Sequence, residues 1–338
     1  MKKKFVVFIS AVLISAFAVF SAAQTAGKVI PPPKSVYKYS VAGGSIGGNF
    51  YIMGAGIAQL LNNHLPQYFL FTAEATGGGT ANATMLENDQ AELGIIMTSS
   101  LLESLEGKAS WTGGKKYSKL RGIAAIYPSW LTIYTLKNSG IKSLKDFKGK
   151  RIGLGSKGAA MDSIFRQFFA DEKIVPAQIH NDGHGATATA LSNGVIDAAL
   201  LFSYPPFPAI AELESSKELY FIPLTPAEQN ALVKKYPFYS KDTLPAGSYK
   251  GAVKDVPGVS EWNMLVSSSE VPEELAYLIT KTLFENQKDL IAVHSSAKFM
   301  TPENVLKFNI PLHAGTVRYL KEIGIKVPKK LIPPEYKD

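Results

Sequence analysis

No cysteine occurs in the 338 residues. That excludes a disulfide framework, an iron–sulfur or zinc-thiolate site, and a lipid anchor on a cysteine at a leader-cleavage point. Blocks of five like charges are also missing, and the basic excess (36 Lys and Arg against 28 Asp and Glu) is spread along the chain. Nucleic acid needs a clustered basic face and is not an expected partner; a mild positive balance suits a small anionic one. The five histidines show no metal-ligand spacing. His180 and His184 are four apart, but Gly183 breaks the helix that would align them. With no paired carboxylates either, neither a metal nor a cofactor is expected.

One long apolar run does occur, at residues 5–20, short of the roughly 20 residues a membrane span needs. Lys2, Lys3 and Lys4 precede it, and Ser21 and Ala23 follow as small residues at a cleavage site. Residues 1–23 therefore read as a secretory signal peptide cut near Ala23, which sends the mature chain to the periplasm. Removing it takes three lysines and no acid, so the formal net charge falls from +8 to +5. The remaining chain, about 315 residues, suggests two domains.

Residues 24–35, with Pro31, Pro32 and Pro33, form a lead-in. Beyond them α/β alternation begins. Strands are expected at 36–42, 69–75 and 93–97, with helices at 49–63 and 80–88; Phe50, Met53, Ile57, Leu60 and Leu61 fall on one helical face. Strands at 123–126 and 131–136 flank Tyr127-Pro128-Ser129-Trp130. A second series follows, with strands at 151–154, 178–181, 198–202 and 220–224 and helices at 144–147, 159–171, 186–192 and 208–213. Residues 236–255 read as a loop and 259–267 as a strand; two or three helices close the chain over 272–323. Such alternation calls for parallel sheets covered by helices. The simplest topology has lobe I at 36–126 and 260–326, lobe II at 127–259, and a tail at 327–338. The chain crosses near 127–134 and returns near 259–266. Ligands in such sheets sit beyond the carboxyl ends of the strands, so a cleft between the lobes is the expected site.

The strand-to-helix turns carry the chemistry. Gly43-Gly44-Ser45-Ile46-Gly47-Gly48, Thr76-Gly77-Gly78-Gly79-Thr80, Gly155-Ser156-Lys157-Gly158 and Asp182-Gly183-His184-Gly185 each follow a strand and open a helix. Free backbone N–H groups at a helix start favour an anion, and glycine lets it approach. A tight turn needs glycine anyway, so each loop alone is equally well a turn. Four in register, split between two lobes, point to a carboxylate site. Two motif matches compete. Gly43-x-Ser45-x-Gly47 fits a nucleophile elbow, which would make Ser45 the nucleophile of an exported serine hydrolase. Yet it lies on the first strand, and the candidate partners His294 and His313 sit in the helical tail. Gly153-x-Gly155-x-x-Gly158 with Asp182 fits a dinucleotide fingerprint, but mid-chain and in an exported protein. Tyr51, Tyr127, Trp130, Phe202 and Tyr204 fall at the expected cleft edge, where aromatics cover a ligand's apolar part or simply fill the core.

Taken in order, the stretches 43–51, 76–82 with Leu86-Glu87, 144–151, 193–199, Tyr236-Pro237-Phe238-Tyr239, 245–249 and Pro311-Leu312-His313-Ala314-Gly315 resemble the TAXI family, the solute receptors of TRAP-type transporters. The resemblance runs from about residue 38 to 323. It implies a type II periplasmic binding fold, two α/β lobes joined by crossing strands, closure on the ligand, a monomer, and delivery to a TRAP-type integral membrane permease. A receptor serving a sensor kinase is an alternative. By position it implies ligand contacts from Ser45, Gly47, Gly48, Asn49 and Tyr51, from Thr76, Gly77 and Gly79, and from Ser156, Gly158, Tyr204 and Pro205. Trp130 joins them as a cleft aromatic. The chain departs from the family at Met97-Thr98-Ser99, where a polar triplet with an acid is usual, and at Gly158-Ala159-Ala160-Met161, where hydroxyls are usual. Thr98, Ser99, Ala159 and Met161 at those positions make the pocket less polar. The expected solute is a carboxylate without an α-ammonium, dicarboxylate-like or with an apolar portion, and the expected role is binding and not catalysis.

Overall fold

Three parallel strands begin the fold: Tyr37–Ala42 (β1), Phe69–Glu74 (β2) and Leu93–Met97 (β3), separated by helices Asn49–His64 (α1) and Gly79–Glu87 (α2). A computed structural model describes residues 30–157 and 159–337; the signal-peptide assignment and Gly158 lie outside the described residues. The compact unit starting at Pro32 contains everything below. β3 runs straight into Thr98–Glu106 (α3), and Leu120–Leu136 (β4) follows. Next come Arg151–Gly153 (β5), Ala160–Asp171 (α4), Gln178–His180 (β6), His184–Ser192 (α5), Ala198–Ser203 (β7), Pro208–Ser216 (α6) and Leu219–Phe221 (β8). Pro226–Lys235 (α7), Ser240–Leu244 (β9) and Val256–Ser268 (β10) lead to helices Glu273–Glu285 (α8), Gln287–Val293 (α9) and Ala314–Glu322 (α10).

The strand order is β2-β1-β3-β10-β4-β7-β5-β6, with β8 added to β4 and β9 to β10. The outer strands pair in parallel, whereas β10 and β4 are antiparallel to each other and to their neighbours β3 and β7. The sheet is therefore mixed: two parallel sets joined by a long central pair. The alternation alone suggested only the parallel sets. Helices cover the strands because strands such as β3 bury side chains along nearly their whole length. α1 turns Met53, Ile57, Leu60 and Leu61 inward at helical spacing. In the second series α4 buries Ile164, Phe165, Phe168 and Phe169 against Phe147, Ile152 and Leu200. Full burial of each such side chain contributes about 1.5–3 kcal/mol.

Four elements differ from the sequence reading. The two strands expected around Pro128 are one strand, β4. Proline cannot donate to a ladder, but beside it the register slips, with Tyr127 opposite Asn263 and Ala125 opposite Met264. Asn263 Nδ2 then donates to Tyr127 O (3.0 Å) and to Ser129 Oγ (2.7 Å), holding the strand through the irregularity. Helix α3 was not foreseen because its first turn, Thr98-Ser99-Ser100, has no apolar periodicity. α7 was missed although Thr225, Pro226 and Glu228 form a capping box with proline at the helix start. The expected loop at 236–255 contains β9, a strand fixed by pairing with β10 and not by its own polar sequence.

The closing helices pack tightly. A Cβ on Gly315 of α10 would lie 2.3 Å from Tyr277 N and 2.4 Å from Glu273 O of α8, so only glycine permits this approach. His313 caps α10 by accepting Gly315 N–H at Nδ1 (3.2 Å), while Nε2 lies 2.8 Å from Val271 O. Burial pushes its imidazole down to about 4, so it stays neutral at physiological pH.

Candidate functional site at the crossing of the sheet

Because β1, β2 and β3 are parallel, the turns that follow them share one edge of the sheet. After β1, Ser45, Ile46 and Gly47 face solvent, Ile46 being 77% exposed. After β2, Gly78 takes φ +98° and delivers Gly79 to the first turn of α2. Asn82, with 0% exposure, binds these turns together. Its Nδ2 donates to Gly43 O (2.6 Å) and to Ile95 O (2.7 Å). Thr76 Oγ1 lies 2.6 Å from Asn82 Oδ1 and accepts Gly78 N–H at 3.1 Å. A Cβ on Gly79 would sit 3.4 Å from Met97 N, so this loop rests directly on the start of α3.

The second edge is built alike from β5, β6 and β7, also parallel. Ser156 is exposed after β5, and Ala159 precedes the first turn of α4. Met161 and His184 pack beside Gly155, at 3.5 and 3.3 Å from where its Cβ would be. Asn181 Nδ2 donates to Gly155 O (2.9 Å) and to Asp162 Oδ1 (2.9 Å), and Asn181 Oδ1 accepts from Arg166 Nη2 (2.7 Å). After β7, Tyr204 and Pro205 form a turn steadied by Phe207 N–H donating to the Tyr249 hydroxyl (3.0 Å).

The two edges meet at the crossing strands. Asn49, in the first turn of α1, donates from Nδ2 to Tyr204 O at 3.0 Å. Around Tyr204 stands an aromatic wall: Tyr127 (5.8 Å between centroids), Trp130 (5.6 Å), His294 (5.6 Å) and Phe299 (6.2 Å). The Tyr127 hydroxyl and Trp130 Nε1 are buried there without a hydrogen-bond partner in the protein. Burial alone raises the Tyr127 phenol well above its ordinary range, so it stays a donor. On the α3 side, Thr98 Oγ1 donates to Trp262 O (2.9 Å), and Ser99 N–H donates to Glu261 Oε2 (3.1 Å).

The residues singled out in the sequence thus separate by what their polar groups do. Ser45, Gly47, Gly77 and Ser156 are exposed at the two edges; Gly48, Tyr51, Gly79, Ala159, Met161 and Pro205 are half-buried beside them. Asn49, Thr76, Thr98 and Ser99 spend their hydrogen bonds on the protein and shape the edges from within. The acid absent from Met97-Thr98-Ser99 has a counterpart in space, Glu261, which no sequence-neighbour signal discloses. Asn82 and Asn181 were also overlooked as loop clamps, although Asn82 stands in one of the quoted family stretches. As for the rival motifs, His294 Nδ1 lies 2.6 Å from Ser296 Oγ and both His313 nitrogens are engaged as above; among the described residues no hydrogen bond joins Ser45 to either imidazole. A Cβ on Gly153 would lie 2.6 Å from Thr187 Cγ2, so this glycine serves helix–strand packing.

Among solved structures, a periplasmic transporter superposes with a TM-score of 0.52 at 14% identity, covering 81% of this chain and 87% of that one. The binding-protein component of a phosphonate ABC transporter from Pseudomonas aeruginosa gives 0.49 at 12% identity (79% and 81% covered). The periplasmic aliphatic sulphonate binding protein of Escherichia coli gives 0.48 at 14% (87% and 81%). The first of these, with the mixed sheet and its crossing pair, establishes a periplasmic binding protein fold. The model of the NMT1-like family matches residues 41–324, and the chain belongs to that family.

Proposed function

We propose that this protein is a periplasmic solute receptor that captures a small organic anion between two lobes, 36–126 with 260–326 and 127–259, and delivers it to a TRAP-type permease. The carrying observation is the Asn49–Tyr204 bond that joins two glycine-opened edges, each presenting helix starts. Helix N-termini favour a carboxylate by about 0.3–1 kcal/mol each where exposed, more when desolvated. Closure removes water from the edges and strengthens those interactions. The unpartnered Tyr127 hydroxyl and Trp130 indole N–H, set in an aromatic wall, would serve a solute with an apolar body and a second acceptor. The receptor reading assigns Ser45 a binding role at the exposed first loop and no nucleophilic one. Transfer to a TRAP-type permease rests on the TAXI resemblance.

Mass spectrometry of material released by denaturing the purified protein identifies any retained solute. Calorimetry then compares glutamate with 2-oxoglutarate and phenylpyruvate. Binding of the oxo acids in preference to glutamate is expected; tight binding of glutamate alone would overturn the solute class.

A further inference from the structure

Glu261 plays no part in the capture scheme above. It stands in the crossing strand β10 opposite Ser129 of β4, and is 2% exposed. Its Oε2 accepts Ser99 N–H, while Thr98 Oγ1 donates to the carbonyl of the next residue, Trp262. These two bonds fasten the first turn of α3 to the crossing strand, and Gly79 of the glycine loop abuts Met97 just before that turn. An anion at a helix start is favourable, and here the protein supplies it from within.

The surroundings of this carboxyl group hold acids and phenols in place of a cation. Glu103 faces it from α3 and itself accepts from Trp111 Nε1 (2.8 Å). Tyr239, buried with an unpartnered hydroxyl, faces it from the segment before β9, with Tyr236 behind it at 6.0 Å between rings. β4 offers Ser129, and the nearest lysine along β9, Lys241, is exposed and paired with Val259. No ion pair to Glu261 occurs among the described residues.

We propose that Glu261 is a pH-responsive positioning residue of the solute site, whose charge state sets how firmly the first turn of α3, and the glycine loop resting on it, is held to the crossing strand. Burial pushes its carboxyl up to about 7; the Ser99 hydrogen bonds pull it down, and the Glu103 charge adds to the rise. Ionised, it makes a charge-assisted bond to Ser99 N–H; protonated, it holds the turn less firmly and leaves the edge neutral. An anion in the glycine loops and a charged Glu261 repel each other, so by reciprocity a bound anion raises the pH at which Glu261 ionises. Through that repulsion capture of an anionic solute takes up a proton, while acidification also loosens the turn that supports the glycine loop. This purpose rests on the receptor reading, but the titration does not.

The test follows the Ser99 amide by 1H–15N NMR from pH 5 to 8.5. An inflection near pH 7 that disappears in Glu261→Gln is expected. A flat Ser99 amide, or the same inflection in the variant, would overturn the proposal. Should Glu261→Gln fail to fold, Glu103→Gln decides: the Ser99 inflection moves to lower pH, and an unmoved one rejects the cluster. If no organic anion binds in calorimetry, the receptor reading falls while the Ser99 titration stands. A flat amide with intact solute binding removes this inference alone.

Discussion

Two asparagines do the same work at opposite edges of the sheet, and in different surroundings. Asn82 and Asn181 each donate a side-chain N–H to the carbonyl of a glycine-loop residue, Gly43 and Gly155. Asn82 is fully enclosed, and its remaining bonds go to Ile95 O and the Thr76 hydroxyl, all neutral groups. Asn181 is half-buried and belongs to a charged group with Asp162 and Arg166, whose Nε lies 2.7 Å from Asp162 Oδ1. A buried neutral network is rigid and costly to break, because water cannot replace a lost partner. A partly exposed ionic one is replaceable and screened by salt. The first edge is therefore the more rigidly held of the two, and the second is the more easily adjusted.

That contrast can be broken at several points. Asn82→Ala removes one hydrogen bond from each of the Gly43 and Ile95 carbonyls and the acceptor of the Thr76 hydroxyl, and although that hydroxyl still lies 3.2 Å from Gly43 O, a loss of about 3 kcal/mol is expected from denaturant midpoints. A loss below about 1 kcal/mol would show that the first edge does not depend on this clamp. Asn181→Ala is expected to lose only about 1 kcal/mol, since water reaches the second loop; equal losses at the two sites would erase the distinction. Asn49→Ala removes the one side-chain bond between α1 and the Tyr204 turn among the described residues. About 1 kcal/mol is expected, read as roughly fivefold weaker capture of whatever solute is released on denaturation. The smallest effect concerns salt. Raising NaCl from 0.1 to 1 M should destabilise the wild type by about 0.5 kcal/mol relative to Arg166→Ala, as the exposed half of that pair is screened.

The glycine loops were legible because φ > 0 and helix starts leave marks in the local sequence: Gly78 before Gly79-Thr80 is such a mark. Legible too were the helices with apolar stripes, α1 and α4. Nothing local announced that Asn82 would clasp two carbonyls, or that Asn49 would reach a carbonyl 155 residues away. β9 carries no apolar alternation, and it is a strand only because β10 offers an edge. α7 is the opposite case: its capping box is readable in Thr225-Pro226-Ala227-Glu228 without any tertiary information. The division of the site also escaped the sequence. A serine or threonine at a loop looks the same whether its hydroxyl faces a solute or, as with Thr76, another side chain.

The sequence by itself determined the β/α alternation, the glycine-opened helix starts and the lack of any thiol chemistry, because each depends on residue type or on spacing within one or two turns. Only the tertiary structure decided that β4 runs unbroken past Pro128, that Thr98 and Ser99 turn inward, and that a carboxylate from β10 sits at the start of α3. Ser99 and Glu261 are 162 residues apart, and what joins them is the antiparallel pairing of β10 with β3. Such pairing is set by the summed burial of whole strands, which no short stretch of sequence contains.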